Sequence, residues 1–492
     1  MNRLCLALLG GALCLSTAHT VTAQSYAETA EGLMSAYHEA GLFNGTVLVA
    51  HRDSVLHASG YGLADMEWEA SNQVDTIFRI ASVTKQFTAA MVYLLEEDGL
   101  IDVDEPIGTY LAEYPRPQGD VITVHHLLTN RAGVPNYTSL PGWEDVMRDP
   151  AIPDSFMTTF AGLNLKFRPG TSFDYSNSNY YILGVLIERV TGQSYADVMQ
   201  ARIFDPLGME DTGADVGGVV LKRRARGYER TPAGFVPEAY IDMSRPFAAG
   251  MLYSTVTDLH RWKRALHGGE VFSNPETLRR MLTSPDEGGF GYASGIGYSR
   301  KSYGGDTLLV AGHGGRIEGF GSDDVYYPEE EWTVIVLDNT NSDVGRVSND
   351  LVRLLQGIEV ELPRKPIAAY LAEVLARDGV EEAVARYQQA KQNEPENYAF
   401  DSDQLLDLGY QYLVAGDTGT ALPLLLLCVE EYPESPMAHL LLGEAYRISG
   451  DADQARAHYR HTLELDPENV NAKTALQLVG AQVQDQDAVD RR

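Results

Sequence analysis

A repeat of 34 residues near the C-terminus is the feature that most restricts how this 492-residue chain can fold. Four residues recur at that interval: Gly409, Tyr412, Ala421 and Pro433 are followed by Gly443, Tyr446, Ala455 and Pro467. This period is typical of stacked helix pairs, in which small and aromatic residues of neighbouring helices pack against each other. A looser unit with Ala383, Tyr387, Ala390 and Pro395 fits the second helix of a preceding repeat. We therefore predict an all-α array over residues 361–480, followed by a flexible, polar tail over 481–492.

The pattern Leu-Gly-x-x-Tyr, with a later Ala and a closing Pro, resembles the tetratricopeptide repeat. Roughly three such units are near the minimum number for a stable array, so we expect the array to pack against the rest of the protein. Concave helical surfaces of this kind commonly bind peptides. A protein partner at the repeats is therefore an expectation, with structural support of the body as the alternative.

Residues 24–360 alternate between strand-like and helix-like stretches. Strand pairs are predicted at 45–62 and 323–339, and helices at 82–98, 177–191 and 258–267, which end at Gly99, Gly192 and Gly268. Strands at both ends with helices between them favour an α/β (α+β) body whose first and last segments share one sheet.

The N-terminus reads as a secretory leader rather than as part of the fold. Arg3 precedes an apolar run from Leu4 to Leu15, and Val21-Thr22-Ala23 offers the small residues that a signal peptidase accepts. We predict a signal peptide over residues 1–23 and a periplasmic or extracellular protein. The run is shorter than the ~20 residues that span a bilayer, so no membrane span is expected in the mature chain.

The formal charge of −31 argues against nucleic acid as a partner. Two of the three cysteines leave with the predicted leader, so the mature chain does not rely on disulfides. No phosphate-binding loop or metal-ligand pattern is present in the sequence. The adjacent His125 and His126 are more simply explained by packing or capping than by metal binding.

The first chemistry-bearing motif is "IASVTK", residues 80–85. Ser82 stands at the start of an amphipathic helix, and Lys85 follows one turn later on nearly the same face. A buried lysine has a lowered pKa and can accept the proton of a serine. Taken alone, the pair is better explained as a helix cap beside an exposed lysine, and a catalytic role needs partners elsewhere in the sequence.

Two further motifs supply partners for a Ser-Lys pair. Tyr175-Ser176-Asn177 lies between a Pro-Gly turn and an apolar helix, where a phenol can relay a proton and an amide can bind a substrate carbonyl. Packing of Tyr175 and capping by Asn177 is the alternative.

His313-Gly314-Gly315 follows a β-rich run, and its glycines allow a substrate backbone to lie along the strand edge. The backbone N–H of Arg316 could join that of Ser82 as a two-donor hole for an oxyanion. The alternative interpretation of this stretch is a glycine-rich turn with a surface histidine.

The three motifs occur in the order seen in the serine β-lactamase and penicillin-binding protein superfamily, which this sequence resembles over about residues 26–345. The flanking stretches "ITVHHLLTNRAGVP", "FDYSNSNYYILGVLIERVTGQSY", "IFDPLGMEDT" and "AAGMLYSTVTDLHRW" also match, and the class C β-lactamase-like branch is the most similar. The resemblance implies an acylated nucleophile at Ser82, a base at Lys85 and a proton relay at Tyr175. It also implies substrate contacts at Asn177, His313, Gly314, Gly315 and Arg316, with no cofactor.

One departure from the family pattern bears on the substrate. His313-Gly314-Gly315 replaces Lys-Thr-Gly, so the fixed cation and the hydroxyl that hold a substrate carboxylate are missing. We therefore expect an esterase or an amidase/peptidase, with β-lactam hydrolysis a minor activity. A binding module without turnover is the alternative. If a charged His313 grips an acidic substrate, affinity falls as pH rises through ~6.5.

Overall fold

The computed structural model describes residues 23–231, 234–286 and 290–479. The α-helices in chain order are α1 Ala23–Glu39, α2 Thr84–Glu97, α3 Gln118–Val121, α4 Val124–Leu128, α5 Trp143–Val146, α6 Pro153–Ala161, α7 Asn177–Thr191, α8 Tyr195–Met199, α9 Asp205–Leu207, α10 Val256–Gly268, α11 Pro275–Leu282, α12 Val344–Leu355, α13 Ile367–Asp378, α14 Val380–Asn393, α15 Ser402–Val414, α16 Thr418–Glu431, α17 Pro436–Ser449 and α18 Ala452–Leu465.

The strands are β1 Gly45–His51, β2 Ser54–Tyr61, β3 Leu63–Asp65, β4 Ala70–Ser71, β5 Phe78–Arg79, β6 Gly213–Ala214, β7 Tyr228–Thr231, β8 Gly234–Pro237, β9 Leu252–Ser254, β10 Phe290–Tyr292, β11 Gly297–Tyr303, β12 Asp306–Ile317, β13 Phe320–Tyr327, β14 Trp332–Asp338, β15 Lys365–Pro366 and β16 Tyr398–Ala399.

The first and last segments of the body meet in one antiparallel sheet of order β10-β11-β12-β13-β14-β1-β2. Gly45 of β1 is opposite Asp338 of β14, and His51 is opposite Trp332. The predicted sharing of one sheet is therefore confirmed. The predicted pairs at 45–62 and 323–339 are also confirmed, as β1 with β2 and β13 with β14.

Helices cover both faces of this sheet. Side chains of successive residues in a strand point to opposite faces, and β1 divides in this way between two apolar clusters. Leu48 and Ala50 join the large cluster that contains α2 and α7. Val47 and Val49 join a second cluster with α1 and α12. The α/β (α+β) body is thus confirmed as a sheet between two helical layers, with α2 buried in the larger one.

The predicted helices occur close to their expected bounds, with two corrections. The helix predicted at 258–267 begins at Val256 and runs through Gly268, and the left-handed residue that ends it is Gly269, with φ 78°. The helix predicted from residue 82 begins at Thr84, after a 3₁₀ turn over Ala81–Val83. Within the described ranges, no helix has both the length and the apolar composition to cross a bilayer.

The C-terminal helices form the predicted array, paired as α13 with α14, α15 with α16 and α17 with α18, and one short parallel pair, β15 with β16, lies within it. Close packing explains the repeated glycine, because a Cβ on Gly443 would lie 2.8 Å from the ring of Tyr459. Three apolar clusters stabilise this region, and their members all come from residues 367–479. The predicted leader and most of the predicted tail lie outside the described residues, and the domain boundaries stay predictions.

Candidate active site

The turn that carries Ser82 is fixed by hydrogen bonds from two directions. Strand β5 pairs with β9 just before it, and the Ile80 N–H donates to the Leu252 carbonyl at 3.0 Å. The Ser322 hydroxyl of β13 donates to the Ile80 carbonyl at 2.9 Å. The chain then turns sharply, and Ala81 adopts φ 46°, a left-handed conformation that is costly for a residue with a side chain. This strained turn places the partly exposed Ser82 at the head of α2.

The Ser82 hydroxyl does not cap the helix. The N-cap position of α2 belongs to Val83, and neither the 3₁₀ turn nor α2 has a side-chain cap. Instead, Ser82 Oγ lies 3.0 Å from Lys85 Nζ. The alternative reading of Ser82 as a cap is therefore wrong.

Lys85 is a fully buried lysine with three oxygen neighbours. Its Nζ lies 3.0 Å from Ser82 Oγ, 2.9 Å from Asn177 Oδ1 and 2.7 Å from the Ala249 carbonyl oxygen. The rings of Tyr175 and Tyr180 also lie nearby, at 5.0 and 5.6 Å from Nζ. No carboxylate is among these contacts, and burial lowers the pKa of Lys85 well below its usual value. The alternative of an exposed lysine is also wrong.

Asn177 is placed by a loop that clamps the start of α7. The Asn177 N–H donates to Asn136 Oδ1 at 3.2 Å, and the Ser178 hydroxyl donates to the Pro135 carbonyl at 2.6 Å. One residue earlier, the Ser176 N–H donates to Asn130 Oδ1. Since the helix start is held from outside, the Asn177 side chain is free to contact Lys85. The alternative, in which the Asn177 side chain caps α7, is wrong, because α7 has no side-chain cap.

Tyr175 lies beside the Ser82 hydroxyl and the Lys85 ammonium. Burial raises the pKa of Tyr175, and a hydrogen bond with Ser82 partly offsets that rise. The phenol therefore keeps its proton at neutral pH and can donate it to a neighbouring atom. The rings of Tyr292 and His313 pack around it, with centroids 6.1 and 5.8 Å away.

The edge of β12 lies against the Ser82 turn. β11 pairs with β12 only as far as Gly312, whereas β13 continues to pair with it from Ala311 to Ile317. A Cβ built on Gly315 would lie 2.5 Å from the Ile80 carbonyl oxygen and 2.9 Å from the Ser82 nitrogen. Gly315 therefore brings the strand into contact with the backbone of the nucleophile, and Arg316 follows it into the pocket at Ser82.

His313 stands on strand β12 rather than in a turn, and its ring is partly buried. Its Nδ1 lies 2.6 Å from the Gly314 carbonyl oxygen and its Nε2 lies 3.1 Å from the Tyr292 hydroxyl. A carbonyl can only accept, so Nδ1 carries the hydrogen and Nε2 accepts from Tyr292. Burial and the nearby Lys85 lower the pKa of His313 to about 3. This direction disfavours a charged His313 that grips an acidic substrate, and the pH dependence of binding stays a prediction.

A pocket of about 230 Å³ opens at Ser82. Its walls combine aromatic and aliphatic side chains with Asn177 and Thr138, and the charged residues among its lining are Arg316 and Glu318. Such a mixture of apolar walls and a few polar groups is typical of small-molecule sites.

The structure brings all eight predicted site residues to one region around this pocket, between the start of α2, the start of α7 and the edge of β12. Sequence reasoning missed the carbonyl of Ala249, because a backbone acceptor has no residue signature. It also missed Tyr292 and Glu318. Of the histidine pair, His126 forms a reciprocal cap with Thr123 at the start of α4, as expected of a capping role.

Comparison with known proteins gives two family matches. Residues 27–358 match the family model described as Beta-lactamase, and residues 436–469 match the Tetratricopeptide repeat model. A D-aminopeptidase from Gluconobacter oxydans is 29% identical over 346 residues, which cover 66% of this chain and 62% of that protein.

Two solved structures are similar over most of the body. The penicillin binding protein from Bacillus halodurans aligns with a TM-score of 0.58 and 26% identity, over 66% of this chain and 98% of that one. The D-amino acid amidase from Ochrobactrum anthropi SV3 aligns with a TM-score of 0.59 and 25% identity, over 68% and 99%. The chain belongs to the β-lactamase family, as a β-lactamase-related serine hydrolase with a C-terminal tetratricopeptide repeat.

Proposed function

We propose that this protein cleaves ester or amide bonds of small or peptide substrates through an acyl-enzyme on Ser82. The observation that carries the proposal is the position of Lys85 Nζ, 3.0 Å from Ser82 Oγ and fully buried. A neutral amine has two hydrogens and one lone pair. The Ala249 carbonyl and Asn177 Oδ1 accept the two hydrogens, which leaves the lone pair to receive the proton of Ser82.

In the proposed acylation, Ser82 Oγ attacks the substrate carbonyl while its proton passes to Lys85. The carbonyl oxygen becomes negative, and the N–H groups of Ser82 and Arg316 are its proposed donors. The bond to the leaving group then breaks, and Tyr175, hydrogen-bonded to Ser82, relays a proton to the departing nitrogen or oxygen. Water attacks the resulting ester on Ser82 in the reverse sequence and regenerates the enzyme.

The proposed substrates follow from the side chains of His313 and Gly314 on β12. The lowered pKa of His313 favours its neutral form and Gly314 has no hydroxyl, so this strand does not supply the fixed cation and hydroxyl of Lys-Thr-Gly. Esters and D-amino-acid amides or peptides are accordingly the first choice, with β-lactams as minor substrates. Similarity to a D-aminopeptidase and a D-amino acid amidase supports this order.

The direct test is covalent labelling of the full chain with a fluorophosphonate, together with turnover of p-nitrophenyl acetate. We expect wild-type protein to react and Ser82→Ala to lose both signals. Ser71→Ala, at an exposed serine outside the pocket, serves as the matched control. Equal labelling of the wild type and Ser82→Ala would refute the proposal.

Export and a partner for the repeats belong to the same proposal. The leader-like first 23 residues favour a periplasmic or extracellular location. We expect mass spectrometry of the secreted protein to give the mass of a chain that begins at Gln24. The repeat array favours docking of a protein segment. Removal of residues 368–492 that leaves esterase activity and melting temperature unchanged would support docking, whereas collapse of the body would make the array structural support.

A further inference from the structure

Glu318 places a carboxylate in the pocket of Ser82. It follows directly after β12, and it lines the same pocket as Ser82, Asn177 and Arg316. The neighbouring wall is largely apolar, with Tyr137, Trp143, Ile241, Pro246 and Ile317. A carboxylate in such a wall is costly unless a cation or several donors face it.

The protein itself supplies little compensation for this carboxylate. Glu318 Oε2 is buried and has no hydrogen-bond partner among the described residues. The carboxylate interacts with its own backbone N–H, and burial raises its pKa. Arg79 lowers that pKa from a distance, but its Nε donates to Asp215 at 2.8 Å, and both of those side chains are buried. Asp215 also accepts hydrogen bonds from Arg224, so Arg79 belongs to a separate ion cluster, and no salt bridge joins it to Glu318 within the described ranges.

The other charge in the pocket does not neutralise Glu318. The Arg316 guanidinium donates to the Asn341 carbonyl at 3.3 Å, and its residue is exposed to solvent. Within the described ranges, Glu318 forms no salt bridge with Arg316 or with another cation. The pocket thus offers a partly buried carboxyl group without a counter-ion, while its cation is solvated and hydrogen-bonded elsewhere.

We propose that Glu318 is a specificity-determining residue that binds the ammonium group of the substrate, so that esters and amides bearing a free amine are preferred over their acylated forms. This inference rests on the proposed function, since it concerns the same pocket and reaction. An ammonium supplies both a positive charge and three N–H donors, which are what the unpartnered Oε2 lacks. The amine binds while the acyl carbonyl reaches Ser82, and no bond to Glu318 forms or breaks.

The test compares D-alanine p-nitroanilide with N-acetyl-D-alanine p-nitroanilide as competitors of p-nitrophenyl acetate hydrolysis by the full chain. Competition measures the affinity of each compound even where its own turnover is slow. We expect the free amine to bind at least about tenfold more tightly than its acetylated form, as for a hydrogen bond between charged groups. In Glu318→Gln that ratio is expected to fall to about one; because both affinities are measured on the same variant, the ratio does not depend on its rate of p-nitrophenyl acetate hydrolysis.

Glu238→Gln is the matched control. Glu238 is also partly buried, has a raised pKa and lies near Arg79, yet it is not among the residues that line the pocket at Ser82. Its variant is expected to keep the preference for the free amine. A wild-type ratio near or below one overturns the inference even if Glu318→Gln does not fold, as does a Glu318→Gln variant that keeps the wild-type ratio. Absence of Ser82-dependent ester hydrolysis would instead refute the proposed function.

Discussion

Gly315→Ala tests how closely β12 must approach the nucleophile. The added Cβ would lie 2.5 Å from both the Ile80 carbonyl oxygen and Ser322 Oγ, and 2.9 Å from the Ser82 nitrogen. Two of these three atoms are backbone, so rotation of a side chain cannot relieve the overlap. The strand edge and the Ser82 turn must instead separate by roughly half an ångström or more, which displaces one proposed oxyanion donor from the other.

The expected result is a loss of kcat/KM with the fold retained. A misplacement of about 1 Å can cost about 100-fold in rate, so we expect a fall of about 30- to 100-fold for p-nitrophenyl acetate. Overpacking of this kind destabilises by about 1–3 kcal/mol, which a melting curve detects without loss of the cooperative transition. We expect the pairing of β12 with β13 to be retained, since the Cβ would meet the Ser82 turn and the side chain of Ser322 rather than the β13 backbone.

Gly314→Ala provides the matched control one residue away. A Cβ there would meet its nearest atoms, the Ser322 carbonyl oxygen and Asp323 Oδ1, at 3.7 and 3.8 Å, which is ordinary contact. We expect activity within about threefold of wild type, because neither the strand nor the turn has to move. The reasoning is wrong if Gly315→Ala retains wild-type kcat/KM, or if the two variants lose activity equally.

Three further predictions follow from the geometry and the pKa directions. Tyr175→Phe is expected to lower kcat for amide substrates by about 100-fold with little change in KM, because the variant loses the proton donor but keeps the aromatic ring. Steady-state kinetics that show a change in KM alone would contradict this prediction. Because burial lowers the pKa of Lys85, kcat/KM is expected to rise with pH through a midpoint well below 10.5. His313→Asn is expected to keep that midpoint. If His313→Asn loses the rise of kcat/KM with pH, the titrating group is the histidine and not Lys85. The pKa values of His439 and His458 in the array are both lowered from 6.5, so the unfolded chain binds more protons and stability falls as pH falls through about 6.5; melting of wild type and His458→Asn at pH 7.5 and 5.5 checks this, with a smaller shift expected for the variant.

Much of the site could be predicted because its residues carry local patterns. Ser82 and Lys85 are one helical turn apart, and Asn177 begins a helix whose apolar residues mark it as buried. The 34-residue period of the array likewise reflects a packing requirement that recurs in each unit. At Gly443 that requirement is visible as the contact with Tyr459, where any side chain would clash.

The missed features depend on contacts between distant parts of the chain. The carbonyl that faces Lys85 belongs to Ala249, 164 residues later, and any residue type could have supplied it. The neutrality of His313 depends on Tyr292 and on burial, neither of which the His-Gly-Gly pattern encodes. The left-handed backbone of Ala81 could not be predicted from the sequence either, since alanine disfavours that conformation and hydrogen bonds from distant residues hold the turn.

The charges around Ser82 together indicate which substrates this pocket disfavours. Burial and Lys85 lower the pKa of His313, so a proton on Lys85 opposes a proton on His313 during acylation. The charge on Lys85 is transient, because the proton taken from Ser82 must be passed on. A substrate carboxylate therefore finds no permanent cation at the position of His313. The cation that lines the pocket, Arg316, donates to the Asn341 carbonyl, and the carboxyl group of Glu318 lines the same pocket. The lowered pKa of His313 and the carboxyl group of Glu318 both disfavour acidic ligands, and Glu318 favours substrates that carry a positive charge.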